Sequence, residues 1–200
     1  MLLGLTQGWP EFVQGMRCIL AVLSQLSLLW GLWAVTGATL ARADNALPEP
    51  VQAQVQGVYF TPPAGVAQAI IAQLDQSQNE VLVQAYGFTH RPIAKALVRA
   101  QQRGAAVRVL VDQKSEVQNH EVLALLQDGQ VQLRGDGRHA IAHNKLMLID
   151  EQVVITGSFN FTNAAETRNA ENLLILRSSE LAQVYKQQWL RHWAHSQNEH

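Results

Sequence analysis

His143-Asn144-Lys145-Leu146-Met147-Leu148-Ile149-Asp150-Glu151-Gln152-Val153-Val154-Ile155-Thr156-Gly157-Ser158-Phe159-Asn160 is the stretch from which the rest of this chain is best read. Leu146 to Ile149 and Val153 to Ile155 are short apolar runs of the kind that form buried strands. The polar link Asp150-Glu151-Gln152 between them suits a hairpin turn. Side chains two apart on a strand share a face, so His143 and Lys145 are expected side by side, with Asn144 turned away. Gly157 permits a close backbone approach or an unusual dihedral. Ser158 and Asn160, again two apart, then offer a hydroxyl and an amide to one place. An imidazole, an ammonium and two neutral donors suit a phosphodiester. Histidine is a competent covalent nucleophile, and fixed donors around developing oxyanion charge are each worth roughly 3–4 kcal/mol of barrier.

Outward from this stretch, strands and helices alternate. Val55–Phe60, Glu80–Tyr86, Val107–Val111, Val131–Leu133 and Leu173–Leu176 read as strands. Ala67–Leu74, Pro92–Arg103, Val117–Leu126 and Ser179–His195 read as helices. In the last of these, Leu181, Val184, Tyr185, Trp189 and Trp193 are spaced for one apolar face. The alternation predicts an α/β domain: a mixed, largely parallel sheet flanked by helices on both faces. No internal repeat is visible.

The spacing H-x-K-x4-D-x6-G-S-x-N resembles the signature of the phospholipase D superfamily. The order of elements around Tyr86-Gly87-Phe88-Thr89, Arg103-Gly104 and Asp112 is similar to bacterial Nuc-type endonucleases from about Val55 to Trp193. The resemblance implies His143 as nucleophile, Lys145 as phosphate-binding cation, and Ser158 and Asn160 as further phosphate ligands. It also supports Glu171, in Asn169-Ala170-Glu171-Asn172, as the acceptor that holds His143, in the logic by which a carboxylate orients a catalytic imidazole. Asp150 completes the catalytic pattern, with the structural role of bracing its turn expected. Tyr86, Phe88 and Thr89 are expected to line the site or to pack as core.

The motif occurs once, whereas the family mechanism uses two histidines, one attacking phosphorus and one protonating the leaving oxygen. A homodimer with a two-fold axis through the site would supply the second. No cofactor and no metal is expected, since lysine and amides supply the charge stabilisation that a metal supplies elsewhere. His90, His120, His192, His195 and His200 lack the paired spacing of metal ligands and read as surface groups. The expected function is an endonuclease acting on DNA or RNA. A phospholipase acting on membrane lipid and a non-catalytic envelope or DNA-transfer component are the alternatives.

Composition bounds these readings. The chain has 200 residues and a formal net charge of −1. Residues 1–43 read as a signal peptide, or alternatively an N-terminal membrane anchor: Arg17 precedes the apolar stretch Ile19–Ala38, and Ala41-Arg42-Ala43 is a small-residue cleavage pattern. Residues 44–54 read as an extended segment, and residues 55–200 as the catalytic domain. Losing the leader removes Arg17, Arg42 and Glu11, so the charge moves to −2. That excludes a strongly basic domain, and attraction for a polyanion must come from a local patch such as Arg134, Arg138 and His139 with Arg168. Cys18, the single cysteine, lies in the leader. The remaining domain holds no disulfide or zinc-thiolate site. The leader points to a periplasmic or secreted bacterial protein.

Overall fold

The computed structural model describes residues 50–63 and 65–198. The leader expected over residues 1–43, residues 44–49 of the extended segment and His200 lie outside them. Strands are β1 (Gln54–Thr61), β2 (Glu80–Ala85), β3 (Ala106–Asp112), β4 (Gln132–Asp136), β5 (Lys145–Ile149), β6 (Val153–Gly157), β7 (Glu171–Arg177) and a short β8 (Gln197–Asn198). Helices are α1 (Val66–Asp75), α2 (Arg91–Gln102), α3 (Glu116–Asp128), α4 (Asn163–Thr167) and α5 (Ser179–His195). One turn of 3₁₀ helix, Gln113–Ser115, precedes α3.

The strands form one sheet in the order β1-β7-β6-β5-β2-β3-β4-β8. It is mixed and covered by helices on both faces, as the alternation predicts. Its parallel share is smaller than expected: only β2–β3 and β3–β4 are parallel pairs, and the other five neighbouring pairs are antiparallel. A parallel neighbour needs a crossover helix, and only α2 and α3 make one. The β5–β6 link is a tight turn. Asp150 and Glu151 both take left-handed backbone (φ 52° and 55°), and Gln152 N–H donates to the Ile149 carbonyl at 3.0 Å. Two consecutive positive φ values make the turn whose twist matches a hairpin.

Local signals place the helices. In α2, Ile93, Ala94, Ala96, Leu97 and Ala100 form the buried stripe, with Pro92 in the first turn and Gly104 at φ 103° just beyond the end. His90 is its N-cap: Nδ1 accepts from Ile93 N–H at 3.4 Å. That corrects the surface reading of His90, which is 7% exposed. Burial lowers its pKa, opposed by the charge of Glu166. The N-terminus of α1 is closed from far along the chain, where the Glu166 carboxylate accepts from Gly65 N–H (2.5 Å) and Ala67 N–H (2.9 Å).

The larger core lies between the sheet and α1–α4, built on residues such as Ile70, Leu74, Val83, Leu97, Val109, Leu126, Met147, Phe159 and Phe161. The smaller lies under α5, where Leu82, Leu110, Leu146, Leu148 and Val154 meet Ala182 and Trp189. Trp189 is fully buried and its indole N–H donates to the Val83 carbonyl at 2.9 Å; truncating such a side chain costs about 3–5 kcal/mol. Leu181, Tyr185 and Trp193 pack beside it as expected, but Val184 is 55% exposed. The face of α5 is rotated so that Ala182 and His192 are buried in its place. Among the described residues no helix is long and apolar enough to cross a membrane.

Candidate active site

Strand directions bring the motif together. The C-terminal ends of β1, β2 and β6 and the N-terminal ends of β5 and β7 meet at one edge of the sheet, because Thr61 pairs with Glu171, Gly157 with Leu173, and Lys145 with Ala85. Gly157 is required there for close approach. A Cβ at this position would lie 2.3 Å from the Asn172 carbonyl oxygen. That carbonyl also accepts from Ser158 and Phe159 N–H, at 3.1 and 3.3 Å.

His143 is exposed and lies in the loop just before β5, so strand alternation does not set its direction. Tyr86 does. Its ring stands 4.8 Å from the imidazole, and the Lys145 ammonium is 5.4 Å from the same ring. Lys145 is 8% exposed and donates from Nζ to the His143 carbonyl at 2.9 Å. Burial lowers the Lys145 pKa, opposed by the negative charge of Glu171. A poorly hydrated cation beside an open imidazole is the central feature of this edge.

Glu171 occupies the same edge, but its hydrogen bonds run elsewhere than expected. It accepts from Ser158 Oγ (2.6 Å) and Asn169 Nδ2 (3.0 Å), and none of its hydrogen bonds goes to His143. Ser158 in turn accepts from Asn172 N–H at 3.1 Å. The Ser158 proton is therefore committed to Glu171, making Ser158 a strut for the carboxylate that faces Lys145. Asn160 Oδ1 takes Gly87 N–H at 3.4 Å, which leaves its amide nitrogen for an oxyanion. Phe88 belongs to the core, edge-on to Phe161 at 5.6 Å. For Thr89, the backbone N–H donates to Phe161 O at 3.0 Å.

Asp150 is not at this site. It lies past the opposite end of β5, about 17 Å along the strand from Lys145. There its carboxylate accepts backbone N–H groups of Gln78, Asn79 and Glu80 at 2.9, 2.7 and 2.9 Å. The catalytic place that the pattern gave it is corrected to the bracing role, because the hydrophobic strand between them holds the two ends apart.

Sequence reading missed the residues that fix the loops. Asp112 Oδ1 accepts Ala142 N–H at 2.8 Å, anchoring the segment that leads into His143. Asn119 and Ser115 both donate to the Tyr86 carbonyl, at 2.9 and 2.8 Å. The only signal was a polar residue inside the apolar stripe of α3. Of the expected basic patch, Arg138 and Arg168 are exposed, while Arg134 stacks on Trp193 at 4.4 Å and donates to its carbonyl.

Residues 70–193 match the family model described as "Cardiolipin synthase, PLD-like domain". A phospholipase D of Rickettsia conorii is 46% identical over 131 residues, 66% of each chain, so the match spans just under two thirds of that relative. A mitochondrial cardiolipin hydrolase of Mus musculus is 32% identical over 54% of this chain and 49% of its own. Among solved structures, the phospholipase D family member Nuc of Salmonella typhimurium superposes with a TM-score of 0.71 at 30% identity, covering 74% of this chain and 99% of its own.

Proposed function

The chain belongs to the phospholipase D-like family, an enzyme family that includes a phospholipase D and a cardiolipin hydrolase, and we propose that it is a phosphodiesterase whose chemical step needs no metal, acting on DNA or RNA as a non-specific endonuclease. The observation that carries this reading is the exposed His143 imidazole on Tyr86, beside the buried Lys145 cation.

A nitrogen of His143 attacks phosphorus and the bond to the leaving oxygen breaks. A second histidine gives that oxygen its proton, and an alcohol departs. Water then attacks the phosphohistidine, the second histidine takes the water proton, and His143 is released with a phosphomonoester as product. Lys145 and the Asn160 amide neutralise the non-bridging oxygens. Burial lowers the Lys145 pKa, and the negative charge of Glu171 opposes that shift.

The second histidine is His143 of another copy, and the active species is a homodimer. Ile141, 56% exposed and two residues before His143, offers a second copy an apolar contact. Exposed Arg138 and Arg168 flank the edge and suit a polyanion backbone. The leader over residues 1–43 would place the enzyme in the periplasm or outside the cell.

A phospholipase reading has its own support, the 46% identity to a phospholipase D. One comparison decides between them. Purified protein is offered plasmid DNA and phospholipid vesicles in parallel. Plasmid nicking that weakens with salt, without release of lipid headgroups, supports the nuclease; headgroup release without nicking overturns it in favour of the lipase. Mixing wild type with excess His143→Ala tests the shared site. A fall in activity steeper than simple dilution supports it, and a fall that only follows dilution overturns it.

A further inference from the structure

Away from the motif, at the C-terminal end of β4, three imidazoles converge on one buried carboxylate. Asp136 is 1% exposed. Its Oδ2 accepts from His192 Nδ1 at 2.7 Å and His139 Nδ1 at 3.0 Å, and its Oδ1 lies 3.2 Å from His195 Nε2. The His139 and His192 rings stack at 4.7 Å, and His195 stands 5.4 Å from each. One donor atom from each of the four residues falls within 4.8 Å of the other three. These residues come from the strand end, the following loop and one face of α5, so the convergence is tertiary. It also corrects the surface reading of His192, which is 8% exposed.

We propose that Asp136, His139, His192 and His195 form a binding site for one divalent transition-metal ion, with zinc the best fit, that fastens helix α5 to the loop leading to His143. The chemistry of the donors selects the ion. Three imidazole nitrogens and one carboxylate oxygen make a four-coordinate set of the kind zinc takes, with bonds of roughly 2.0–2.2 Å. Imidazole donors favour zinc, copper or nickel over magnesium or calcium. Tetrahedral bonds of that length put donors about 3.3 Å apart, so a set already within 4.8 Å closes onto an ion by small side-chain movements.

Electrostatics agree. Asp136, buried among nitrogen donors, supplies the carboxylate that a cation needs. An outer partner is close by: with Nδ1 on the metal, His192 Nε2 carries the proton, and the Gln188 amide 3.0 Å away can turn its oxygen to accept it. The His139 side chain is 43% exposed and leaves an entry path.

The site is separate from the motif. Lys145, Ala85, Val111 and Gly135 lie in one row across β5, β2, β3 and β4. Three strand spacings, about 14 Å, divide Lys145 from the end of β4. The ion would therefore be structural, and it acts on catalysis only through the loop that runs from His139 to His143.

The test uses the full chain, stripped with chelator and dialysed. Zinc titration by calorimetry should give one ion per chain, and saturating zinc should raise the melting temperature by about 5–10 °C. Cobalt(II) should produce the visible absorption of a four-coordinate site, which zinc then displaces. Asp136 and His192 are buried, so the more exposed ligands make the cleaner variants. His139→Ala and His195→Ala should each weaken zinc binding by at least ~100-fold, since even outer partners are worth 10–100-fold. His120→Ala, an exposed histidine outside the cluster, should change nothing. No zinc uptake by wild type at micromolar concentration, or equal uptake by wild type and the His139→Ala/His195→Ala double variant, would overturn the proposal. None of these readouts depends on activity, so they stand apart from the assignment of His143.

Discussion

Strand β5 carries Lys145 at one end and is followed by Asp150 at the other, and the two charged groups live under opposite terms. Asp150 is saturated: three backbone N–H groups converge on its carboxylate and hold the β5–β6 turn in a left-handed conformation that non-glycine residues rarely take. Lys145 is buried with a single hydrogen bond, to the His143 carbonyl, so its ammonium is far less satisfied. A satisfied charge stabilises a fold. An under-satisfied one costs stability and keeps its donors for chemistry. On the function proposed above, the two ends of one strand divide these tasks.

The sharpest way to break this contrast is at the loop beside Lys145. His143→Asn should lower turnover by roughly 10⁴-fold or more, while leaving the melting temperature unchanged because the ring is exposed. Steady-state rates and thermal melts on the same preparation check both halves. A large loss of stability would mean that this end, too, is structural.

Next in size, Lys145→Met should lower kcat/KM by about 10²–10³-fold. The pH profile sharpens the point. Because burial lowers the Lys145 pKa, activity should fall on an alkaline limb below the ordinary lysine range. Glu171 opposes that shift, so Glu171→Gln should move the limb further toward neutral pH. The measurement is kcat/KM against pH for wild type and variant. A limb that stays in place would remove Lys145 from the titration.

At the far end, Asp150→Ala should cost about 2–4 kcal/mol in denaturant unfolding, with activity per folded molecule unchanged. If turnover fell while stability held, the division between the ends would fail. The smallest effect belongs to Lys186 on α5, which donates to Glu80 at 2.5 Å and Glu151 at 2.6 Å near that same end. Lys186→Ala should cost about 1 kcal/mol or less. Burial would lower the Lys186 pKa, but the hydrogen bonds and charges of Glu151 and Glu80 raise it. The contribution is therefore complete below the unfolded lysine pKa and is lost as pH rises through the folded one. Melts of wild type and variant should converge at strongly alkaline pH.

Much of this was legible before any coordinates. The spacing of Leu181, Tyr185, Trp189 and Trp193 marks out α5, and the apolar runs on either side of Asp150 mark the hairpin. The need for glycine at position 157 was legible as well, although not its cause, the Asn172 carbonyl. What could not be read was every pairing over long range. Asp112 with Ala142, Asn119 with Tyr86, and Glu166 with the start of α1 each join segments about 30 to 100 residues apart. The helix pair His192 and His195 and the loop pair Asp136 and His139 each show a spacing of three. Nothing local says that the two pairs meet.

The amino-acid order by itself set the elements and the motif, because side-chain periodicity, caps and turns act over a few residues. Tertiary structure decided the rest: that β1 closes beside β7, that Asp150 faces away from His143, that Ser158 serves Glu171, and that three histidines surround Asp136. The physical reason is range. Strand order and helix placement are chosen by which apolar faces can be buried together, and that choice belongs to the whole chain at once.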